Sequence, residues 1–218
     1  MARRQRLGAI AMLFLAAILV PTAGALGLEV PHRTLLVFGD SLSAGYGVSH
    51  EDAWVTLLGR KLASQPATAS WEVVNASISG ETTHGGTARI AGALDRFHPD
   101  IVILELGGND ALRGTPIEET RRNLESMAQQ IQQHHARLVV VGIALPPNYG
   151  DDFTATFAGL FSDLAKRHHA ALLPNLVESL GTGREQFQAD GIHPLGSAQP
   201  KLLASVWRVL EPLLKAPR

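Results

Sequence analysis

The 218-residue chain contains no cysteine, which excludes disulfide bonds, thiol nucleophiles, iron–sulfur clusters and cysteine-ligated zinc. It also carries little charge, because only 18% of its residues are charged and its formal net charge is −1. Without an excess of basic residues, electrostatic binding to nucleic acid or anionic lipid is not expected.

The chain also lacks a long apolar run, and its longest, Leu7–Val20, falls short of the roughly 20 residues that span a bilayer. A head rich in arginine precedes this run, and the small residues Ala23-Gly24-Ala25 follow it. The pattern predicts a secretory signal over residues 1–25, cleaved after Ala25, and export to the periplasm or the medium. The alternative is an uncleaved anchor. Stable membrane insertion after removal of the signal is not expected.

Five short apolar runs predict strands that are buried on both faces, as in a parallel sheet. These runs are continuous instead of alternating with polar residues, so no solvent-facing side is indicated. The predicted strands are Thr34–Phe38, a run around Val73–Asn75, Ile101–Leu106, Leu138–Leu145 and Ala170–Leu173.

Segments with helical spacing alternate with the predicted strands. Their apolar faces begin at Trp54, Ile117, Phe153 and Leu202, and Gly86–Phe97 is predicted to be a further helix. This alternation predicts an α/β fold over residues 26–218: one domain with three αβα layers around a doubly wound, parallel, five-stranded sheet.

Two helix ends have specific signals. Thr115-Pro116-Ile117-Glu118 predicts a capping box with Pro116 as the first helical residue. Pro212 is predicted to end the last helix, because proline inside a helix removes a backbone hydrogen bond.

Polar clusters rich in glycine follow the predicted strands. In an open parallel sheet, ligands bind beyond the carboxyl ends of the strands, so these clusters are expected to meet at one edge. They are Gly39–Ser43, Ser77–Glu81, Gly107–Asp110, Pro146–Tyr149 and, after a longer loop, Asp190–Pro194.

The residue types in these clusters are typical of nucleophilic catalysis. A serine hydroxyl such as that of Ser41 needs an adjacent base, and His193 suits that task near neutral pH. Asp190, three residues earlier, can hold the imidazole in the right tautomer. The backbone amides of Ser41 and Gly80 and the side-chain amide of Asn109 can stabilise an oxyanion. Asp40 and Asp110 are expected to stabilise their loops.

Four blocks in order resemble the GDSL family, also called SGNH hydrolases. They are Gly39-Asp40-Ser41-Leu42, the lone Gly80, Gly107-Gly108-Asn109-Asp110 and Asp190-Gly191-Ile192-His193. The similarity extends over roughly residues 33–212. Segments such as GDSLSAGYG, NASISGETT and ELGGNDALRG are most similar to bacterial multifunctional members of the family, which have acyl-CoA thioesterase, lysophospholipase and arylesterase activity.

The resemblance implies a flavodoxin-like fold and hydrolysis of ester or thioester bonds through an acyl-serine intermediate. It implies Ser41, Asp190 and His193 as the catalytic triad, and Ser41, Gly80 and Asn109 as the oxyanion hole. Ala111–Thr115 would be a mobile loop that shapes the acyl pocket. The expected partner is a small acyl ester or thioester, without a cofactor, and a monomer is expected.

Other interpretations are weaker. The pairs His134-His135 and His168-His169 suggest a metal, but each pair is predicted to end a helix, and no H-E-x-x-H spacing occurs. Gly45-Tyr46-Gly47 lacks the third glycine of a dinucleotide loop. A secreted lipid- or glycan-binding module would be expected to have a damaged triad. A carbohydrate O-deacetylase of the same fold is the alternative within the enzyme class.

Overall fold

The structure is a computed structural model that describes residues 32–145, 147–181 and 183–215. The predicted secretory signal, residues 1–25, lies outside the described residues, as does Pro146 of the cluster that follows the fourth strand. None of the helices within the described ranges combines the length and apolar character that a membrane crossing requires.

Five parallel strands form one sheet in the order β2-β1-β3-β4-β5, which confirms the predicted parallel α/β architecture. The predicted fourth strand is too long, because β4 ends at Val141. Ile143 and Leu145 remain buried beyond the sheet, so apolar character continues where strand pairing stops. The strands are β1 (Arg33–Gly39), β2 (Trp71–Asn75), β3 (Ile101–Glu105), β4 (Arg137–Val141) and β5 (Ala171–Leu173).

Seven α-helices connect or follow these strands in the described ranges, and short 3₁₀ turns lie in the loops. The predicted helices are all present, although the one expected from residue 86 begins earlier. The helices are α1 (Ser41–Ala44), α2 (Trp54–Ala63), α3 (Thr83–Phe97), α4 (Gly108–Leu112), α5 (Ile117–Gln133), α6 (Asp151–Arg167) and α7 (Gln199–Lys215).

Two apolar cores, one on each face of the sheet, confirm the three-layer arrangement. Alternate residues of β1 point to opposite faces. Leu35 and Val37 pack with α2 and α7, whereas Leu36 and Phe38 pack with α3, α5 and α6. All four β1 side chains are completely buried, which explains the continuous apolar run that predicted the strand.

The two predicted helix ends are wrong. Pro116 lies one position before helix α5 as its N-cap and makes no side-chain capping bond; instead its carbonyl accepts the amides of Glu119 and Thr120. Pro212 lies inside helix α7. Leu214, in the turn after the proline, is buried in the core, and its packing offsets the backbone hydrogen bond that Pro212 cannot make.

Candidate active site

The strand order places the site where the sheet reverses its direction of winding. β1 lies between β2 and β3, so the connections that leave β1 and β3 diverge to opposite sides and open a crevice at their carboxyl ends. Ser41 follows β1 as the first residue of α1, and Asn109 follows β3 within α4.

Ser41, His193 and Asp190 form one continuous chain of hydrogen bonds. Ser41 Oγ lies 2.8 Å from His193 Nε2, and His193 Nδ1 lies 2.7 Å from Asp190 Oδ2. The structure therefore brings together three residues that are separated by up to 152 positions in sequence.

A tight turn explains why Asp190 and His193 are three residues apart. Asp190 Oδ1 accepts the backbone amides of Ile192 at 2.9 Å and His193 at 3.1 Å, which leaves Oδ2 for the imidazole. Gly191 has φ +70°, a conformation that glycine adopts readily. The hydrogen bond from His193, followed by that from the Ile192 amide, lowers the pKa of Asp190 to about 2.

The ionised Asp190 determines the tautomer of His193. A carboxylate can only accept, so His193 Nδ1 carries a proton and donates it to Asp190. In the neutral ring, Nε2 is then the acceptor, and the Ser41 hydroxyl donates to it. This is the protonation state that a general base needs in order to take the proton of Ser41.

Tyr46 and Gln188 contact the histidine loop, and neither was predicted to be part of the site. The ring of Tyr46 lies 4.6 Å from that of His193, centroid to centroid. Gln188 donates from Nε2 to the carbonyl of Tyr46 and from its backbone amide to the carbonyl of His193. A Cβ at Gly47 would lie 2.2 Å from Gln188 Oε1. The Gly45-Tyr46-Gly47 segment thus packs against His193.

Gly80 lies in a turn in which the Glu81 amide donates to the carbonyl of Ile78. Its φ of +79° is the conformation that a type II turn requires at this position. Arg113 donates from Nη2 to the carbonyl of Gly80 at 2.8 Å. The segment predicted to be a mobile loop, Ala111–Thr115, therefore contacts the Gly80 turn through Arg113; its mobility stays a prediction.

Asn109 contacts both of the segments that carry the other two predicted oxyanion donors. Its Nδ2 donates to Asp40 Oδ2 at 3.0 Å, next to Ser41, and to the carbonyl of Glu81 at 2.9 Å, next to Gly80. Both amide hydrogens are used, so an oxyanion would have to share one of them. These two bonds fix the orientation of the Asn109 side chain.

We expect Asn109→Ala to lower kcat by about 10²- to 10³-fold, because it removes one predicted oxyanion donor. Steady-state hydrolysis of a p-nitrophenyl ester measures the effect. Asn175→Ala is the matched control, since Asn175 lies in the loop after β5, where its side-chain oxygen accepts the amide of Val177. Equal kcat values for the two variants would contradict the role of Asn109.

Asp40 stabilises the segment after β1, as predicted, whereas Asp110 lies within helix α4 and links it to Thr83, the first residue of α3. Asp40 is the N-cap of α1 and accepts the amide of Leu42 at 3.0 Å. Asp110 accepts the amide of Thr83 at 2.8 Å and also the Thr83 hydroxyl. Burial raises the pKa of Asp40 from 3.8 to about 6, although hydrogen bonds from Leu42 and Asn109 partly oppose the shift.

The raised pKa of Asp40 predicts a loss of stability as pH increases. The Asp40 carboxyl group binds its proton more tightly in the folded protein than in the unfolded chain. The protonated group therefore contributes its full stabilisation below about pH 4, and this stabilisation is lost as pH rises through about 6. A shift from 3.8 to about 6 corresponds to about 3 kcal/mol. Urea unfolding between about pH 4 and pH 7 should show a smaller decline for Asp40→Asn than for the wild type. Parallel stability curves would exclude this effect.

The paired histidines lie at helix ends, as predicted. His134 and His168 are the C-caps of α5 and α6. His135 and His169, one residue later, have φ values of +59° and +50°. In the part of the chain that the structure describes, no group of three or more histidine, aspartate or glutamate side chains could hold a metal ion.

Comparison with known proteins gives matches over most of the chain. Residues 37–197 match the model of the GDSL-like lipase/acylhydrolase family. Esterase TesA of Pseudomonas aeruginosa is 44% identical over 182 residues, which cover 84% of this chain and 90% of that protein. Thioesterase 1/protease 1/lysophospholipase L1 of Escherichia coli K12 is 40% identical over 181 residues, covering 83% and 85%. A crystal structure of TesA, 44% identical, superposes with a TM-score of 0.80 and covers 83% of this chain and 99% of that one.

Proposed function

Because the chain belongs to the GDSL-like lipase/acylhydrolase family, we propose that it hydrolyses carboxylic ester and thioester bonds of acyl substrates through an acyl-Ser41 intermediate. The observation that carries this proposal is the unbroken chain of hydrogen bonds from Ser41 through His193 to Asp190. An activated serine, a base and a group that orients the base are the parts that acyl transfer requires.

In the first half of the proposed reaction, Ser41 Oγ attacks the acyl carbon while His193 Nε2 takes the hydroxyl proton. The carbonyl oxygen becomes an oxyanion, and the amides of Ser41 and Gly80 and the Asn109 side chain donate hydrogen bonds to it. Collapse breaks the bond to the alcohol or thiol, which leaves with the proton from His193.

In the second half, water attacks the acyl-Ser41 ester and gives a proton to His193 Nε2. Collapse of the second tetrahedral intermediate breaks the bond to Ser41 Oγ and releases a carboxylic acid. The proton returns from His193 to Ser41, so the enzyme is unchanged. Throughout, the negative charge of Asp190 stabilises the positive imidazolium of His193.

Exposed apolar side chains support the proposal that the substrate carries an acyl or aryl group beside the bond that is hydrolysed. Each strand of the sheet is followed by a segment with one large, exposed apolar side chain, and the carboxyl ends of all the strands meet at the edge that holds Ser41. Two of these side chains lie beside the triad, since the ring of Tyr46 contacts that of His193 and the amide of Ile192 donates to Asp190, and apolar groups at such a site can contact a ligand. These side chains are Tyr46, Ile78, Leu112, Phe153 and Ile192.

A substrate panel tests the proposal. Purified protein is assayed with p-nitrophenyl esters of increasing chain length, an acyl-CoA, a lysophospholipid and an acetylated sugar, each beside Ser41→Ala. We expect hydrolysis of the aryl ester, thioester or lysophospholipid that depends on Ser41. A strong preference for the acetylated sugar would replace the proposal with carbohydrate deacetylation, and hydrolysis that persists in Ser41→Ala would contradict it.

We also propose that residues 1–25 are a secretory signal and that residues 26–218 form the hydrolase domain, which acts as an exported monomer. The arginine-rich head, the apolar run and Ala23-Gly24-Ala25 support this division. Intact mass of the exported protein should correspond to a chain that begins at Leu26, and sedimentation should give one chain per particle. A mass that includes residues 1–25 would favour the uncleaved anchor.

A further inference from the structure

Glu105 is a completely buried acid next to the proposed nucleophile, and it takes no part in the proton transfers described above. It is the last residue of β3, where the preceding residues Ile101–Leu104 are apolar and buried. Burying a carboxyl group is costly unless hydrogen bonds compensate, so its partners indicate why it is present.

The hydrogen bonds of Glu105 lie on both sides of Ser41 along the chain. Glu105 Oε2 accepts the hydroxyl of Ser43 at 2.7 Å and the backbone amide of Asp40 at 3.3 Å. The backbone amide of Ser43 is a further donor to the same carboxyl. One carboxyl group therefore joins the residue before Ser41 to the residue two positions after it.

Gly39 provides the space for this contact. Gly39 and Glu105 are partners in the register of β1 and β3. A Cβ at position 39 would lie 2.6 Å from Glu105 Oε2 and 2.9 Å from Ser43 Oγ, so a larger residue would displace the carboxyl group. The close approach of Glu105 thus explains why the Gly39-Asp40-Ser41 block begins with a residue that has no side chain.

The surroundings of Glu105 favour the neutral form of its carboxyl group. Burial, together with the negative charge of Asp40, raises the pKa of Glu105 well above its ordinary value, and the hydrogen bonds from Ser43 and Asp40 only partly oppose this. The second oxygen, Oε1, is buried without a hydrogen-bond partner, whereas Oε2 accepts the Ser43 hydroxyl and the Asp40 amide. A glutamine side chain can keep the acceptor contacts of Oε2.

We propose that Glu105 is a positioning residue for the ester hydrolysis proposed above: by binding Asp40 and Ser43 it fixes the segment 39–43, and with it the hydroxyl and amide of Ser41. The inference rests on the proposed function. Asp40 also binds Asn109, so the same segment fixes a second predicted oxyanion donor. A displacement of about 1 Å at a reacting atom can cost about 100-fold in rate, so loosening this segment should lower kcat.

Four variants test the proposal with one p-nitrophenyl ester. Glu105→Leu removes the acceptor, Ser43→Ala removes a donor from the other side, and Glu105→Gln preserves the acceptor. Ser205→Ala is the matched control, because it removes a buried serine hydroxyl on helix α7 that binds Ser179 and makes no bond to the segment 39–43. kcat, KM and the midpoint of thermal unfolding are measured for each.

We expect Ser43→Ala and Glu105→Leu to lower kcat by about 10- to 100-fold while KM changes by less than about threefold. Glu105→Gln should keep kcat within about threefold of the wild type, and Ser205→Ala should keep it unchanged. If Glu105→Leu does not fold, Ser43→Ala decides the result. Ser43→Ala with a lower unfolding midpoint but wild-type kcat would show a purely structural role and overturn the inference. Wild-type protein without esterase activity would instead contradict the proposed function and remove the basis of both.

Discussion

Ser41→Ala is expected to lower kcat for ester hydrolysis by about 10⁴- to 10⁶-fold. The substitution removes the atom that would form the acyl bond and leaves His193 Nε2 without the hydroxyl that lies 2.8 Å from it. Ser41 starts a helix whose N-cap is Asp40, and that capping bond does not involve the Ser41 side chain. The variant should therefore fold normally, so that lost activity reports lost chemistry.

A serine-directed phosphonate probe distinguishes this result from general damage. The wild type should be labelled on Ser41, and Ser41→Ala should not be labelled. Ser79→Ala is the matched control, since Ser79 is an exposed serine in the loop after β2, at the same sheet edge, and its labelling should be normal. Labelling that survives in Ser41→Ala would place the nucleophile elsewhere.

The effects of removing Ser41 and His193 should not add. Residues that act as one unit lose most of their joint effect when either is removed. His193→Ala alone should lower kcat about as much as Ser41→Ala, and the double variant should be no worse than either. Multiplicative losses in the double variant would mean that the two side chains act independently, against the 2.8 Å contact between them.

The carboxyl groups at this sheet edge have opposite environments, and this separates their roles. Asp190 is partly exposed and accepts three hydrogen bonds, which keep its pKa at about 2 and its charge available to His193. Burial instead raises the pKa values of Asp40 and Glu105. Groups whose pKa values are pushed apart in this way mark different tasks within one site. Here one carboxylate faces the base, and two buried acids bind the nucleophile segment.

The fold was predictable because its signals are local. Strands covered on both faces require continuous apolar runs, and the parallel order follows from the helices between them. Where a side chain is buried outside regular structure, as Ile143 and Leu145 are, the same signal overstates the strand. Pro212 was misjudged because the packing of Leu214 depends on tertiary contacts that local sequence does not encode.

The candidate site was predictable where residue type alone limits the chemistry, as for a serine after the first strand and an aspartate and a histidine in the loop after the last. Gln188 could not be predicted, because its role depends on hydrogen bonds to the carbonyls of Tyr46 and Pro194. The spacing of residues in the sequence gives no indication of these bonds. Glu105 did leave a signal, because it is an acid at the end of an otherwise apolar strand. That signal becomes interpretable only when the register of β1 and β3 places Gly39 beside it.

Asp190→Asn is expected to lower kcat by about 10⁴-fold with little loss of stability. Asp190 Oδ1 accepts two backbone amides, so the asparagine oxygen is required at that position and its NH₂ group must face His193 Nδ1. An NH₂ group can only donate, so Nδ1 would become the acceptor and Nε2 would carry the ring proton. The imidazole would then be unable to accept the proton of Ser41.

Nitrogen NMR of the imidazole measures this change directly, alongside kcat. The neutral ring of His193 should carry its proton on Nδ1 in the wild type and on Nε2 in Asp190→Asn. Asp95→Asn is the matched control, because Asp95 is also paired with a histidine, His134, but lies far from Ser41 in the sequence, on helix α3. That variant should keep wild-type kcat. A proton that stays on Nδ1 in Asp190→Asn while kcat still falls would mean that Asp190 acts through its charge on the imidazolium and not through the tautomer.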